Sequence, residues 1–395
     1  MADWRSAVGK PPAHRISKEE VGGNSGLGDC SSLSRVTTLS IIVLLISFFA
    51  LLMFVPRDGN DELSIDNLPA TKLPPYNSTY PLTTPVRRSN ENVIEYRIAV
   101  VTDLDHASKS ENEKHTWRSY MRRGTLRFNT VDHGKTQIEW EKDTFQLKST
   151  LAQGGRGMEL SDLIVFNGQL LSVDDRTGVV YKINGSTAIA WVLLPDGDGQ
   201  EAKGFKGEWL AVKDGVLYVG GLGKEWTTIQ GEFVNHNPMW VKAVTHYGYV
   251  QHLDWKQVYI DLRAAAGIHY PGYMIHESAR WSAVQRKWYF IPRRASSETY
   301  TEEADERRAT NIMLIASEDF KHIKVKHVGE LSLTRGISAF QFIPGTDDRL
   351  IIALKSEEDK GTIASYVLIF DNDGRIIVPE IKLEGDYKFE GIEFV

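Results

Sequence analysis

Five stretches of the chain repeat one arrangement of polar and apolar positions: SDLIVFNGQLLSV from Ser161, EWLAVKDGVLYV from Glu208, ESARWSAVQRKWYF from Glu277, SAFQFIPGTDDRLIIAL from Ser338 and EGIEFV from Glu390. Each opens on an oxygen-bearing side chain. The second and fourth residues after it are apolar: Leu163 and Val165, Leu210 and Val212, Ala279 and Trp281, Phe340 and Phe342, Ile392 and Phe394. A period of two belongs to a strand. Four of the stretches then turn, through Asn167-Gly168, Asp214-Gly215, Gln285-Arg286-Lys287 or Gly345-Thr346-Asp347-Asp348, and enter a second apolar run, so each predicts a hairpin. Strand hairpins that recur at roughly 50-residue spacing predict an all-β fold, a five-bladed β-propeller.

The chain ends on the fifth stretch, so that blade has to borrow its outer strands. The segment from 96 to about 151, which begins with YRIAVVTDLD, is expected to supply them and to tie the two ends together. Further strands are predicted at TLRFN, TQIEWEK, AIAWVLL, WVKAVTHYGYVQHL, IMLIAS, IKVKHVG and ASYVLIFD. Short helices are predicted over 106–114, 255–266 and 302–308.

If the first residue of each repeated strand faces the propeller axis, Ser161, Glu208, Glu277, Ser338 and Glu390 converge there. Three crowded carboxylates repel one another unless a cation lies among them. Oxygen donors without His or Cys select Ca²⁺ or Mg²⁺ rather than zinc, and Ca²⁺ accepts about 6 to 8 ligands in irregular geometry. Ser161 and Ser338 can offer carbonyl oxygens as well as hydroxyls, and Asp162 stands next to the set.

Several charged clusters flank these strands. Gly154-Gly155-Arg156-Gly157-Met158-Glu159 runs into the first, and a glycine-rich turn lets backbone N–H groups approach an anion, although a plain loop has the same composition. Asp174-Asp175-Arg176-Thr177-Gly178 reads equally as a β-turn with a local ion pair. Pro292-Arg293-Arg294 and Lys355-Ser356-Glu357-Glu358 close apolar strands, where arginine suits bidentate phosphate binding and solvation is the plainer reading. Asp103 and Asp105 end the YRIAVVTDLD strand and are of the type that positions or deprotonates a water. The segment around Lys224 fails the phosphate-loop pattern, because Tyr218 and Glu225 stand where Gly and Ser or Thr are required. No base-reading motif stands out, and the sequence does not separate Trp209, Trp226 and Tyr273 as aromatic candidates.

The 395 residues carry a formal net charge of −6 and no basic stripe, which excludes nucleic-acid binding. The one cysteine, Cys30, precedes the propeller, so no disulfide is expected within it. Residues 36–55 run without a charge, long enough at about 1.5 Å per residue to span a bilayer core of about 30 Å. The expected organisation is a cytoplasmic tail (1–35), a transmembrane signal anchor (36–55), a proline-rich lumenal stem (56–90) and the propeller (91–395). Acceptor triplets at Asn77 and Asn184, both beyond the apolar run, predict N-glycosylation and a lumenal domain. Whether the stem is cut to release a soluble form is left open, as is a homodimer, which needs an exposed apolar patch.

Taken together, AVVTDLD, GRGMELSDLIVFNGQLLSVDDRTGVVY, GEWLAVKDGVLYVGGLGKEWT, PGYMIHESARWS, FIPRRAS, ALKSEE and FEGIEFV closely resemble the calcium-activated nucleotidase (apyrase) family. The resemblance covers essentially everything from about residue 74 onward. It implies a five-bladed propeller with a central Ca²⁺ that hydrolyses nucleoside di- and triphosphates, including ADP and ATP. In the vertebrate membrane-anchored members it implies a preference for UDP and GDP, an endoplasmic reticulum and Golgi location, and support of glycan and proteoglycan synthesis. On matching positions it implies a metal site of Ser161, Asp162, Glu208, Glu277, Ser338 and Glu390. It likewise implies catalytic acids Asp103, Asp105, Glu159 and Asp175, and phosphate contacts from Arg156, Arg176 and Arg294. Two other readings share the axial metal: a calcium-dependent lactonase, which has less need of three arginines, and a lectin-like binding propeller in which the ion only braces the blades.

Overall fold

The structure, a computed structural model, describes residues 74 to 395. The charge-free run at 36–55, Cys30 and most of the proline-rich segment lie outside the described residues. Among the described residues no helix is long and apolar enough to cross a membrane.

Five antiparallel sheets form the blades, each led by one of the repeated strands. Blade 1 runs through Leu160–Phe166, Gln169–Asp174, Val179–Asn184 and Thr187–Leu193, and blade 2 through Trp209–Lys213, Val216–Gly220, Trp240–Val244 and Val250–Asp254. Blade 3 comprises Ala279–Ser282, Lys287–Phe290, Ile312–Ser317 and Ile323–His327, and blade 4 Arg335–Phe342, Leu350–Asp359, Thr362–Asp371 and Ile376–Lys382. Blade 5 is the composite one: the C-terminal strand Phe389–Phe394 pairs with Val93–Thr102, which continues into Trp117–Asn129 and Gln137–Ser149. The chain ends therefore interlock as the sequence predicts, and the inner strands touch in a closed ring from blade 1 to blade 5 and back.

The inner strands carry apolar side chains in both phases because both faces are buried. Leu163 and Val165 pack toward blade 5 with Ala99 and Met121, while Ile164 and Phe166 pack toward blade 2 with Leu217 and Val219. Three further apolar clusters fill the seams between blades 2 and 3, 3 and 4, and 4 and 5. The hairpins close through left-handed residues, Asn167 (φ 51°) with Gly168 (φ 67°) and Asp214 (φ 51°) with Gly215 (φ 76°), the pairing a tight two-residue turn requires.

Of the predicted helices, Lys256–Ala265 forms and buries Tyr259, Leu262 and Arg263 at helical spacing, and Glu302–Asp305 makes a single turn. The segment 106–114 does not form a helix. It makes a 3₁₀ turn over Asp105–Ser108, and Lys109 then bridges to Trp117, since HASKSENEK has no apolar face to bury.

The compact unit begins at Pro75, so the last residues of the proline-rich segment pack on the propeller. Tyr76 packs tilted against Phe166 at 5.5 Å, the Asn77 N–H donates to Asn167 Oδ1, the Tyr80 hydroxyl reaches Glu393 at 3.0 Å, and Val86–Arg88 adds an edge strand to blade 5. This strap crosses the face where the inner strands end. The repeated oxygen residues lie at the opposite face, where those strands begin.

Candidate metal centre and its charged rim

Ser161, Glu208, Glu277, Ser338 and Glu390 are all buried at the start of the inner strands. The backbone makes room for them by breaking its own ladders. Register shifts fall between Leu160 and Asp162, between Ile337 and Ala339, and opposite Val101 and Thr102, which leaves Ser161, Ser338 and Glu390 as the unpaired residues. Such bulges turn a side chain or carbonyl out of the sheet. Glu208 and Glu277 stand just ahead of Trp209–Lys213 and Ala279–Ser282.

Glu277 is close enough to repel the carboxylates of both Glu208 and Glu390. Burial pushes the Glu208 carboxyl up to about 7 against the pull of Lys206, and Asp175 and Glu277 add repulsion. Burial likewise holds Glu390 well above the ordinary carboxylate range, with Asp103 and Glu277 adding repulsion against Lys388 and Arg293. The Ser161 hydroxyl is buried without a hydrogen-bond partner, and Glu208 Oε1, though 2.8 Å from the Lys206 ammonium, makes no aligned hydrogen bond. Orphaned oxygens and mutually repelling carboxylates, with no nitrogen or sulfur donor among them, fit a hard divalent cation.

Two of the six proposed metal residues turn elsewhere. The Ser338 hydroxyl donates to the Phe389 carbonyl. The Asp162 carboxylate accepts two bonds from Arg280 (2.7 and 2.9 Å) and one each from the Leu163 and Leu210 N–H groups, so its acceptor positions are filled. Asp162 thus braces three inner strands, and Ser338 retains its carbonyl as a donor to a metal.

Around the axial ring lies a continuous network of charges. Lys388 contacts Asp103 at 2.7 Å, Asp105 at 2.5 Å, and Glu358 and Glu390 at 3.6 Å. Arg156 binds Glu159 through two nitrogens and reaches Asp105 at 3.2 Å, and Arg176 meets Glu159 at 2.9 Å. Lys206 joins Asp175 to Glu208. Arg293 bridges Glu277, Glu390 and Glu358 at 2.7, 2.9 and 2.5 Å, while Arg294 pairs with Asp305 at 2.9 Å and approaches Glu358 at 3.7 Å. Carboxylate oxygens of Asp103, Asp105 and Glu159 lie within 4.8 Å of one another. Burial raises the Asp103 carboxyl to about 7, with Lys388 opposing and Asp105 repelling; burial would raise Asp105 too, but Lys388 and Arg156 hold it below its ordinary value. Glu159 is raised by burial and by Asp175 in spite of its two guanidinium partners.

All seven predicted rim residues therefore assemble on one face. Asp174, by contrast, serves the turn, accepting from the Met158 and Arg176 N–H groups and the Thr177 hydroxyl. Sequence reasoning missed Lys206 and Lys388, and it named Arg293 and Glu358 only as members of charged clusters that close two strands. The first two were within reach: Lys206 and Lys388 stand two residues before Glu208 and Glu390, as Glu159 stands two before Ser161, and a period of two puts them above the same axis. The equivalent position in blade 4 is Gly336, where a Cβ would come within 2.3 Å of the Arg293 carbonyl, so the glycine lets Arg293 cross the ring.

Fold and site together define a five-bladed propeller with buried acidic side chains where its inner strands begin and a surrounding rim of arginines and lysines paired with carboxylates. The chain belongs to the Apyrase family, whose model matches residues 104–395. It is 58% identical over 321 residues to soluble calcium-activated nucleotidase 1 of Rattus norvegicus, covering 81% of this chain and 78% of that protein. It is 51% identical over 312 residues to apyrase apy-1 of Caenorhabditis elegans (78% and 87% covered) and 41% identical over 321 residues to an apyrase of Cimex lectularius (81% and 87% covered).

Proposed function

We propose that the protein is a calcium-dependent nucleotidase that hydrolyses the terminal phosphoanhydride of nucleoside di- and triphosphates, with UDP and GDP its preferred substrates. The observation that carries this reading is the burial of Glu208, Glu277 and Glu390 where three inner strands begin, beside a rim of arginines and lysines, in a chain whose relatives are named as calcium-activated nucleotidases and apyrases. Ca²⁺ would be held by the three glutamates with Ser161 and Ser338, and when bound it supplies charge neutralisation and orientation at the phosphate oxygens. Arg156, Arg176, Lys206 and Arg294 hold the remaining phosphate oxygens, with arginine suited to bidentate contacts. Asp103 accepts the proton of the attacking water as that oxygen bonds to the terminal phosphorus and the bridging P–O bond breaks, leaving inorganic phosphate and the shortened nucleotide. Glu159 is the weaker candidate base because two guanidinium groups already occupy it.

The cationic rim favours phosphate over a lactone, and turnover separates the enzyme from a binding propeller. Phosphate release from UDP by the purified protein should require Ca²⁺, fall to background with chelator and not be restored by Mg²⁺. Asp103→Asn should lower release about 10²- to 10⁴-fold while the calcium-induced rise in melting temperature persists; unchanged release would remove Asp103 from the chemistry. The setting we infer is the lumen of the endoplasmic reticulum and Golgi, where UDP left by glycosyl transfer would be converted to UMP. The chain would be anchored through 36–55 and glycosylated at Asn77 and Asn184, both exposed here.

A further inference from the structure

Four arginines are buried among the described residues, and three of them hold carboxylates: Arg263 holds Glu225, Arg280 holds Asp162, and Arg293 holds Glu277, Glu390 and Glu358. Arg122, on the strand Trp117–Asn129 of blade 5, is paired with no carboxylate among the described residues. Its Nη1 donates to the Glu384 carbonyl at 3.0 Å, and its Nε makes no hydrogen bond. The guanidinium lies instead against two rings, 6.0 Å from the centroid of Tyr387 and 5.6 Å from that of Phe389. A cation removed from water without a counter-charge is costly, and here two aromatic faces and a carbonyl offset that cost.

Between those two ring residues stands Lys388, the cation that joins Asp103 and Asp105 to Glu358 and Glu390. Side chains alternate along an extended chain, so Tyr387 and Phe389 on one side put Lys388 and Glu390 on the other. The segment 383–388 lies outside any strand, so it is fixed by single contacts. Blade 4 holds it through Ser365: the hydroxyl donates to the Tyr387 carbonyl and accepts from the Phe389 N–H, and the Leu383 N–H donates to the Ser365 carbonyl. Blade 5 holds it through Arg122, with Tyr120 supporting the Tyr387 ring at 5.7 Å. Gly385, at φ 92°, lets the segment bend here, since a Cβ would come within 2.8 Å of the Tyr387 ring. The Lys388 carbonyl also accepts from the Asp103 N–H at 3.0 Å, so the lysine meets Asp103 through its backbone as well as its ammonium.

We propose that Arg122 is a positioning residue for hydrolysis: by holding the segment 383–389 against blade 5 it sets Lys388, and through Lys388 the carboxylate of Asp103. The inference rests on the nucleotidase reading above. Arg122 pairs with none of the rim carboxylates, so its effect passes through the lysine. Asp103 has to meet the attacking water at hydrogen-bond distance, and a displacement of about 1 Å at a reacting group costs up to about 100-fold in rate. Arg156, Arg176, Lys206 and Arg294, which would hold the phosphates, form their ion pairs with Asp105, Glu159, Asp175, Glu208, Asp305 and Glu358 and with no residue of 383–389. The effect therefore falls on kcat rather than on KM.

The test is phosphate release from UDP by the full-length protein in detergent at saturating calcium, with single-turnover rates for the slowest variants. Arg122→Met keeps an apolar stem between the rings and should lower kcat about 10- to 100-fold, with the KM for UDP unchanged. Tyr387→Leu should do the same, and Tyr387→Phe, which keeps the ring face, should restore the wild-type rate; this pair carries the test if Arg122→Met does not fold. Adding Arg122→Met to Lys388→Met should cost nothing beyond Lys388→Met alone, because residues acting through one another are not additive. A residue that only braced the fold would lower the rate by the same factor in both backgrounds. That result, or an unchanged kcat in Arg122→Met, would overturn the proposal while the nucleotidase reading stood. Absence of calcium-dependent phosphate release from any nucleotide by the wild-type protein would overturn both.

Discussion

Replacing Arg280 by methionine is expected to lower the unfolding free energy by about 3–5 kcal/mol, because it leaves a buried carboxylate without its counter-charge. Arg280 is among the largest fully buried side chains of the described residues. Its guanidinium donates to both Asp162 oxygens and to the carbonyls of Leu210, Ala279 and Leu163, so one side chain joins the inner strands of blades 1, 2 and 3. Burial already keeps Asp162 above its ordinary value even with Arg280 beside it. Glu393, fully buried and pushed up to about 7 by burial, is also drawn down by Arg280 and loses that attraction in the variant. Urea unfolding should show a lower midpoint at unchanged slope. The double variant Arg280→Met with Asp162→Leu should recover much of the loss, since a buried pair removed as a whole costs far less than one partner removed alone. A single variant as stable as wild type would show that the pair does not hold the inner strands together.

The same residues mark where the sequence ceases to be readable. The axial ring was legible because one oxygen residue opens each of five strands with the same period-two sequel, and the composite fifth blade was legible because EGIEFV ends the chain one strand into a sheet. Beneath that ring lies a second polar layer of Asp162, Arg280, Gln341 and Glu393, in which Gln341 donates to Glu393 at 3.1 and 3.0 Å. Arg280, Gln341 and Glu393 each stand three residues after an axial residue, out of phase with a period of two. The bulges at Ser338 and Glu390 add the extra residue that puts the last two out of phase. Alternation reads a regular strand and is lost across a bulge, so a period of two gave no sign that Asp162 pairs with Arg280. Arg293 stood out as a charged strand end, but its bridge among Glu277, Glu358 and Glu390 did not, for a different reason. Its role depends on a glycine in another blade, Gly336, and no local pattern links two positions so far apart in sequence.

Glu208→Gln should separate stability from function in opposite directions. Without calcium Glu208 is repelled by Asp175 and Glu277, and it is buried with one oxygen lacking an aligned hydrogen-bond partner. Removing its charge relieves that repulsion, while Lys206 keeps Asp175 as its partner, so the calcium-free variant should melt above the calcium-free wild type. Calcium reverses the order. For the wild type, free calcium at about 100 times its Kd should add about 2.7 kcal/mol, because the ion binds only the folded ring. The variant has lost a charged donor to the ion, and its calcium affinity should fall by at least about 100-fold, the upper range for merely supporting residues. Its melting temperature should therefore barely respond at calcium concentrations that saturate the wild type, and phosphate release from UDP should fall in parallel. Thermal melts with and without calcium, read beside phosphate release, give the sign of both effects. A calcium-free variant less stable than wild type would mean that Lys206 rather than carboxylate repulsion dominates at Glu208, and a retained calcium shift would place the ion away from the axial ring.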